Sequence, residues 1–189
     1  MVALRLRVGR LLSRAARAGL GRDGWRKGAV VTLEQIKPGV WRCVLHSMPD
    51  RLLAAAACAT IHAVRPWWMR MLAPWTRRAW VTIGTRVYLP ADERKPWVRP
   101  SAVEHELTHV RQWLDFGPLL WLAYLGWPLP VGLAWTRYIV EREAYGAEVR
   151  HHGASPGLCA EALCSPLYLW TWPRRWALAY FERLRTTAR

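Results

Sequence analysis

Lysine and acidic residues are scarce in this sequence, and their scarcity sets its charge. Three of the 28 basic residues are lysine, only 13 residues are acidic, and the formal net charge is +15. Residues 1–89 carry +13 of this charge and residues 90–189 carry +2. The basic first half favours an anionic partner, either a membrane surface or a nucleic acid. Arginine that serves only solubility is the alternative interpretation.

Cysteine pairs and long apolar runs are also missing. The four cysteines have no CxxC spacing: Cys43, Cys58, Cys159 and Cys164. This pattern predicts reduced thiols in a cytoplasmic compartment, with a Cys159–Cys164 bridge as the alternative. Arginine at every turn of residues 1–22 excludes the apolar run of a secretory signal. Residues 116–136 are uncharged, but prolines and glycines interrupt them, which favours an apolar hairpin over a membrane span.

Tryptophan, by contrast, is abundant, with 14 residues, and 52% of the sequence is hydrophobic. This content excludes global disorder, and 189 residues correspond to one domain. Residues 1–24 are predicted as a basic amphipathic helix and linker, and residues 25–189 as a single domain with its core at 80–150. For residues 1–22 a membrane-surface anchor, a docking helix on the protein itself and a nucleic-acid arm remain open. An organelle transit peptide would look similar and also remains open. The segments rich in tryptophan and arginine favour an anionic membrane surface, with nucleic acid the less favoured partner.

Sequence patterns predict an α+β fold that is mainly helical. Helices are predicted over 50–64, 102–115, 133–150 and 173–185. Ser101 and Glu104 match a capping box at the start of the second of them. Residues 81–89 are rich in β-branched and aromatic side chains, which predicts a short strand pair or one bent strand.

The most informative stretch reads His105-Glu106-Leu107-Thr108-His109, an HExxH motif inside the predicted helix 102–115. A spacing of four residues places both imidazoles on one helical face, about 6 Å apart at Cβ, so that both reach one metal ion. Glu106 is offset by one residue, which places its carboxylate beside the metal. A separate apolar stripe is expected to bury the helix: Val103, Leu107, Val110 and Leu114.

A catalytic zinc site needs a third protein ligand besides two histidines. The later helix carries the candidates, and Glu141 lies there on a polar and aromatic stripe with Tyr138, Tyr145 and Glu148. We therefore predict Glu141 as the third ligand, with Glu143 and Glu148 as alternatives.

HExxH on one helix followed by Glu-x-x-Ala on a later helix resembles the gluzincin clan of zinc peptidases. It is similar to the HtpX and CAAX-prenyl protease group and to small HExxH domains of phage and tail-like injection systems. The resemblance covers about residues 80–150, and the matching residues are His105, Glu106, His109, Glu141 and Ala144. It implies that the HExxH helix packs against the Glu-bearing helix, with the strand pair along the cleft, where it binds an extended peptide.

One position departs from the family pattern. The family usually has Asp or Asn directly after that alanine, where it orients a zinc-ligating histidine, and this sequence has Tyr145. Either the Tyr145 hydroxyl substitutes for it, or the histidine is held more loosely, which would lower metal affinity or activity.

The ligand set implies the chemistry. Zn²⁺ held by His105, His109 and Glu141 keeps one position open for water, and Glu106 acts as general base. Tyr145 is the candidate donor to the oxyanion, and three further residues are alternatives for that role: Tyr138, His151 and His152. The sequence thus predicts a zinc peptidase for a peptide or protein substrate, peripheral to a membrane. A non-catalytic metal-binding or membrane-docking module and a nucleic-acid-binding protein remain the other interpretations.

Overall fold

The computed structural model of the protein describes residues 31–45, 50–72, 76–77, 79–90, 100–125, 135–165 and 173–187. These residues form helices and one small mixed sheet, so the predicted α+β, mainly helical fold class is confirmed. The predicted helix within 1–24 lies outside the described residues, and so does the middle of the predicted apolar hairpin, 126–134.

The first half of the sheet is a hairpin that sequence patterns did not predict. β1 (Val31–Lys37) and β2 (Val40–Leu45) pair antiparallel, and Gly39 between them has a φ of +73°. Glycine takes this conformation without the steric cost that other residues meet. Leu33 and Trp41 on these strands are buried, which anchors the hairpin on the core.

The second half of the sheet contains the strand pair that the sequence predicts, together with β3. β3 (Thr60–His62) pairs antiparallel with β2, while β4 (Val81–Ile83) and β5 (Arg86–Tyr88) form a hairpin that turns at Gly84. β5 runs parallel to β3, which gives the strand order β1-β2-β3-β5-β4. β4 therefore lies at an edge of the sheet.

Seven helices lie in the described part of the chain. They are α1 (Asp50–Cys58), α2 (Trp67–Leu72), α3 (Pro100–Phe116), α4 (Pro118–Leu125), α5 (Trp135–His152), α6 (Pro156–Leu163) and α7 (Arg174–Thr187). α3 ends at Gly117, whose φ is +58° and whose N–H donates to the Trp113 carbonyl at 2.7 Å. Such a glycine closes a helix by satisfying one of its last carbonyls. α5 ends before Gly153, whose φ is +64°, and the Ala154 N–H donates to the Glu148 carbonyl at 3.2 Å.

Two hydrophobic cores flank the pair formed by α3 and α5. The first core joins the sheet to α1 and α3, and its members include Leu52, Ile61, Leu89, Leu107 and Val110. The second joins α5, α6 and α7 around Tyr138, Val149, Leu163 and Phe181. α3 thus contributes to the first core and α5 to the second.

Three sequence predictions about local structure are wrong. The helix expected over 50–64 ends at Cys58, because Ile61 is buried in the sheet as part of β3. Ser101 is not the N-cap of the HExxH helix, since α3 already begins at Pro100. Leu114, expected in the apolar stripe, is 45% exposed, whereas the other three residues of that stripe are buried.

Arg65 belongs to one of the segments rich in arginine and tryptophan that were expected to face a membrane surface, but its side chain does not lie at the surface. It is buried, and its guanidinium donates to the carbonyls of Leu89 at 2.7 Å, of Thr76 at 2.9 Å and of Ala79. A planar fork of donors suits such convergent carbonyls. Arg65 therefore ties the segment before β4 to the end of β5.

All four cysteines are free thiols, and a Cys159–Cys164 bridge does not form. None of the described helices combines the length and the apolar character that crossing a membrane requires.

Candidate metal centre

The HExxH helix divides its residues between two environments. Val103, Leu107 and Val110 enter the first core, while His105 and His109 face α5. Because a helix repeats every 3.6 residues, these two sets occupy different faces of α3. On α5, the small side chains Ala144 and Ala147 are buried.

Three donor atoms from the two helices converge at the interface. His105 Nε2 lies 3.6 Å and His109 Nε2 lies 3.4 Å from Glu141 Oε2. One donor atom from each of these three residues lies within 4.8 Å of the other two. Tetrahedral zinc, with bonds of about 2.0–2.1 Å, separates its donor atoms by about 3.4 Å. The spacing of the three donors therefore suits a zinc ion.

The carboxylate of Glu141 gives a second test of this fit. Its Oε1 accepts a hydrogen bond from the Tyr124 hydroxyl at 2.7 Å, whereas its Oε2 is buried and accepts no hydrogen bond from a described residue. A buried carboxylate oxygen without a partner is costly. Oε2 is also the atom nearest both imidazoles, so a cation bound there would satisfy it.

Each imidazole is held from behind through its Nδ1 atom. His105 Nδ1 lies 2.7 Å from Glu148 Oε1, and His109 Nδ1 lies 2.9 Å from Gln112 Oε1. A carboxylate only accepts hydrogen bonds, so His105 Nδ1 carries a proton. In both rings the second nitrogen, Nε2, points towards Glu141.

The Gln112 amide fixes the tautomer of His109 by its own contacts. Its Nε2 donates to the Val140 carbonyl at 3.1 Å and to Glu143 Oε2 at 2.8 Å, which leaves its oxygen facing His109. His109 Nδ1 must therefore donate. Glu143 in turn lies 2.5 Å from Arg111 Nη2. Glu143 and Glu148, the two alternative ligands from the sequence, thus contact neighbouring side chains.

Ionised carboxylates at this interface raise the pKa of both imidazoles. Burial by itself lowers the pKa of His105, but the carboxylates of Glu141, Glu148 and Glu106 outweigh burial and raise it to about 10. Burial by itself also lowers the pKa of His109, but Glu141 outweighs burial and raises that pKa above its ordinary value. Burial raises the pKa of Glu141, yet the adjacent imidazoles lower it below its ordinary value. A bound divalent cation would balance the negative charge of these carboxylates in place of the protons on the imidazoles.

Glu106, the predicted general base, lies on α3 next to the edge strand. Its Oε2 accepts a hydrogen bond from the Thr82 hydroxyl of β4 at 2.5 Å. Thr82 pairs with Val87, which pairs with Ile61. Since Val87 and Ile61 both enter the first core, the register points Thr82 towards α3 as well.

Of the residues predicted as candidate oxyanion donors, only one lies against a histidine of the HExxH motif in the described contacts. The Tyr145 ring packs edge-on against His105, with centroids 4.6 Å apart, while Tyr138 belongs to the second core. His151 and His152, proposed as oxyanion donors, instead contact the buried carboxylate of Glu104, at 2.5 Å and 2.7 Å.

Three residues of the centre were missed by sequence reasoning: Thr82, Gln112 and Tyr124. The spacing of Gln112, three residues after His109, could have indicated it, because such residues are neighbours on a helix. Thr82 and Tyr124 reach the centre from β4 and α4, so only the tertiary arrangement places them there. No protein-family model, curated protein or solved structure matches this chain.

Proposed function

We propose that the protein is a zinc-dependent peptidase of gluzincin type. The observation that carries the proposal is the convergence of His105 and His109 on Glu141 Oε2, a buried oxygen that accepts no hydrogen bond from a described residue, at separations that suit zinc. Zinc at these three ligands would supply a Lewis acid and an activated water.

The chain's own residues fit the remaining roles. Glu106 acts as general base. It follows His105 by one residue, so its carboxylate lies beside the ligands, and Thr82 holds one of its carboxylate oxygens. Its second oxygen is left to take a proton from the attacking water and to pass it to the leaving amine. Tyr145, packed against His105, is the candidate donor to the oxyanion.

The position of β4 supports a peptide as substrate. β4 forms one edge of the sheet, and its Thr82 contacts Glu106. In the gluzincin arrangement that we propose, α3 packs against α5 and the β4–β5 hairpin lies along the cleft. An extended peptide added to that edge would run past the general base.

Metal analysis combined with a peptidase assay tests the proposal, using the wild-type protein and Glu106→Gln. We expect one zinc per chain in both proteins, and cleavage of a labelled peptide library by the wild type alone. Glu161→Gln on the exposed face of α6 makes the same chemical change away from the site and is expected to leave cleavage intact. Cleavage by Glu106→Gln at the wild-type rate would refute the role of Glu106.

A second candidate is a non-catalytic metal-binding module that docks on a membrane. Phe116, Leu119 and Leu122 at the junction of α3 and α4 are 61%, 71% and 68% exposed, and the net charge of +15 complements anionic lipid. Zinc binding without cleavage, together with sedimentation on anionic vesicles, would favour this candidate. Absence of zinc together with salt-sensitive binding to nucleic acid would favour the third interpretation.

A further inference from the structure

Glu148 lies at the candidate metal centre between α3 and α5 but is not one of the three proposed ligands. It follows Glu141 by seven residues, or two helical turns, on α5. Its Oε1 meets His105 Nδ1 at 2.7 Å, on the side of the ring opposite Nε2 and Glu141. Glu148 therefore faces the back of an imidazole ring.

We propose that Glu148 is the positioning residue of His105 and fills the role that the family pattern gives to the residue after Ala144. This inference rests on the metal binding proposed above. Tyr145 occupies the family's position, but its ring contacts the His105 ring edge-on, with an interplanar angle of 79°. The tyrosine limits the tilt of the ring, and the carboxylate fixes its rotation.

Glu148 and Gln112 perform related tasks with different chemistry. Both accept a hydrogen bond from an Nδ1 atom, but Glu148 is an acid and Gln112 is an amide. A carboxylate behind an imidazole strengthens its basicity and its bond to a metal more than a neutral acceptor does. His105 is thus the stronger of the two imidazole ligands, and Glu148 is the reason.

Two substitutions separate the charge of Glu148 from its hydrogen bond. Glu148→Gln can still accept from Nδ1, as Gln112 does, but lacks the charge, whereas Glu148→Ala lacks both. Loss of such a partner typically weakens metal affinity by about 10–100-fold. We expect zinc affinity to fall about tenfold in Glu148→Gln and about 100-fold in Glu148→Ala.

Competition with a chromogenic chelator measures these affinities on the full-length protein and needs no activity. Glu161→Gln is the matched control with an unchanged affinity. The visible spectrum of the Co²⁺-substituted protein gives a second readout, because a reoriented His105 alters the ligand field at the metal. The melting temperature of each metal-free variant shows whether the fold itself has changed.

The outcomes distinguish this inference from the proposed function. Wild-type affinity in both Glu148 variants overturns the positioning role while zinc binding stands. Failure of the wild type to bind zinc overturns both. Graded loss across the two variants, with unchanged melting temperatures and an altered Co²⁺ spectrum, establishes the role of Glu148.

Discussion

At the scale of single residues, side chains from other positions hold several polar groups of the centre. Tyr124 holds Glu141, Thr82 holds Glu106, and Gln112 holds His109. Such supporting contacts fix donor atoms before a ligand arrives, which reduces the reorganisation that binding requires. The contact between Thr82 and Glu106 can be tested alone, because Thr82 touches none of the three proposed ligands in the described contacts.

Thr82→Val removes the hydroxyl and keeps the shape of the side chain. We expect the free energy of unfolding to fall by about 1–3 kcal/mol, because a buried carboxylate oxygen loses its donor, and kcat/KM to fall at least tenfold as Glu106 loses its fixed orientation. Urea denaturation and peptide cleavage measure the two effects.

Thr82→Ser is the matched control, since it keeps the hydroxyl and is expected to retain most of the stability and activity. Equal behaviour of the valine and serine variants would mean that the hydroxyl does not hold Glu106.

At the scale of elements, Glu104 on α3 connects the two central helices beyond the metal centre. Its buried carboxylate contacts His151 and His152 at the end of α5. Burial alone raises the pKa of Glu104, but these two histidines outweigh it and lower the pKa to about 2. A carboxyl whose pKa is lower in the folded protein than in the unfolded chain stabilises the fold only while it is ionised.

Stability is therefore expected to fall as the pH drops from about 4.5 towards 2, with a contribution from Glu104 of roughly 3 kcal/mol. Above that window the contribution is complete. Urea denaturation between pH 6 and pH 2.5 measures it, and Glu104→Gln, which cannot ionise, should flatten the profile. An equally steep profile in the variant would assign the acid sensitivity to other carboxyl groups.

Arg65 performs a similar task for the sheet, since it gathers three carbonyls around the β4–β5 hairpin. Arg65→Lys keeps the charge but cannot present a fork of donors. We expect a loss of about 2–3 kcal/mol in the free energy of unfolding, because at least one buried carbonyl is left without a donor. Thermal unfolding followed by circular dichroism measures the loss, and Arg86→Lys, on an exposed residue of β5, should show none.

At the scale of the whole molecule, the centre joins two cores that otherwise share few elements. The sheet, α1 and α3 form one core, and α5, α6 and α7 form the other. The three candidate ligands come from α3 and α5. A metal at this interface would therefore link both halves. Binding of a ligand to the folded state alone stabilises that state by mass action.

Zinc at 100 times its dissociation constant is expected to add about 2.7 kcal/mol to the free energy of unfolding. For a chain of this size the melting temperature should rise by about 5–10 °C. Differential scanning calorimetry with zinc and with a chelator measures the shift, and Glu141→Gln should abolish it. An identical shift in that variant would locate the metal elsewhere.

Much of the centre was predictable from local sequence. The spacing of His105 and His109 places them on one face of any helix that includes both. The polar and aromatic stripe favoured Glu141 over Glu143 but also carries Glu148, and Glu141 is the acid that the structure brings to both imidazoles. The β1–β2 hairpin was missed although Pro38-Gly39 lies between two runs rich in β-branched residues, a recognisable turn signal.

The sequence alone determined the helices that carry the motif and the residues that share a face, because helical periodicity and glycine stops are local properties. The tertiary structure decided which neighbours complete each face. Thr82, Tyr124 and Glu148 reach the centre from β4, α4 and the far end of α5. Such contacts depend on how elements that are distant in the chain pack together, and spacing within one helix carries no information about that packing.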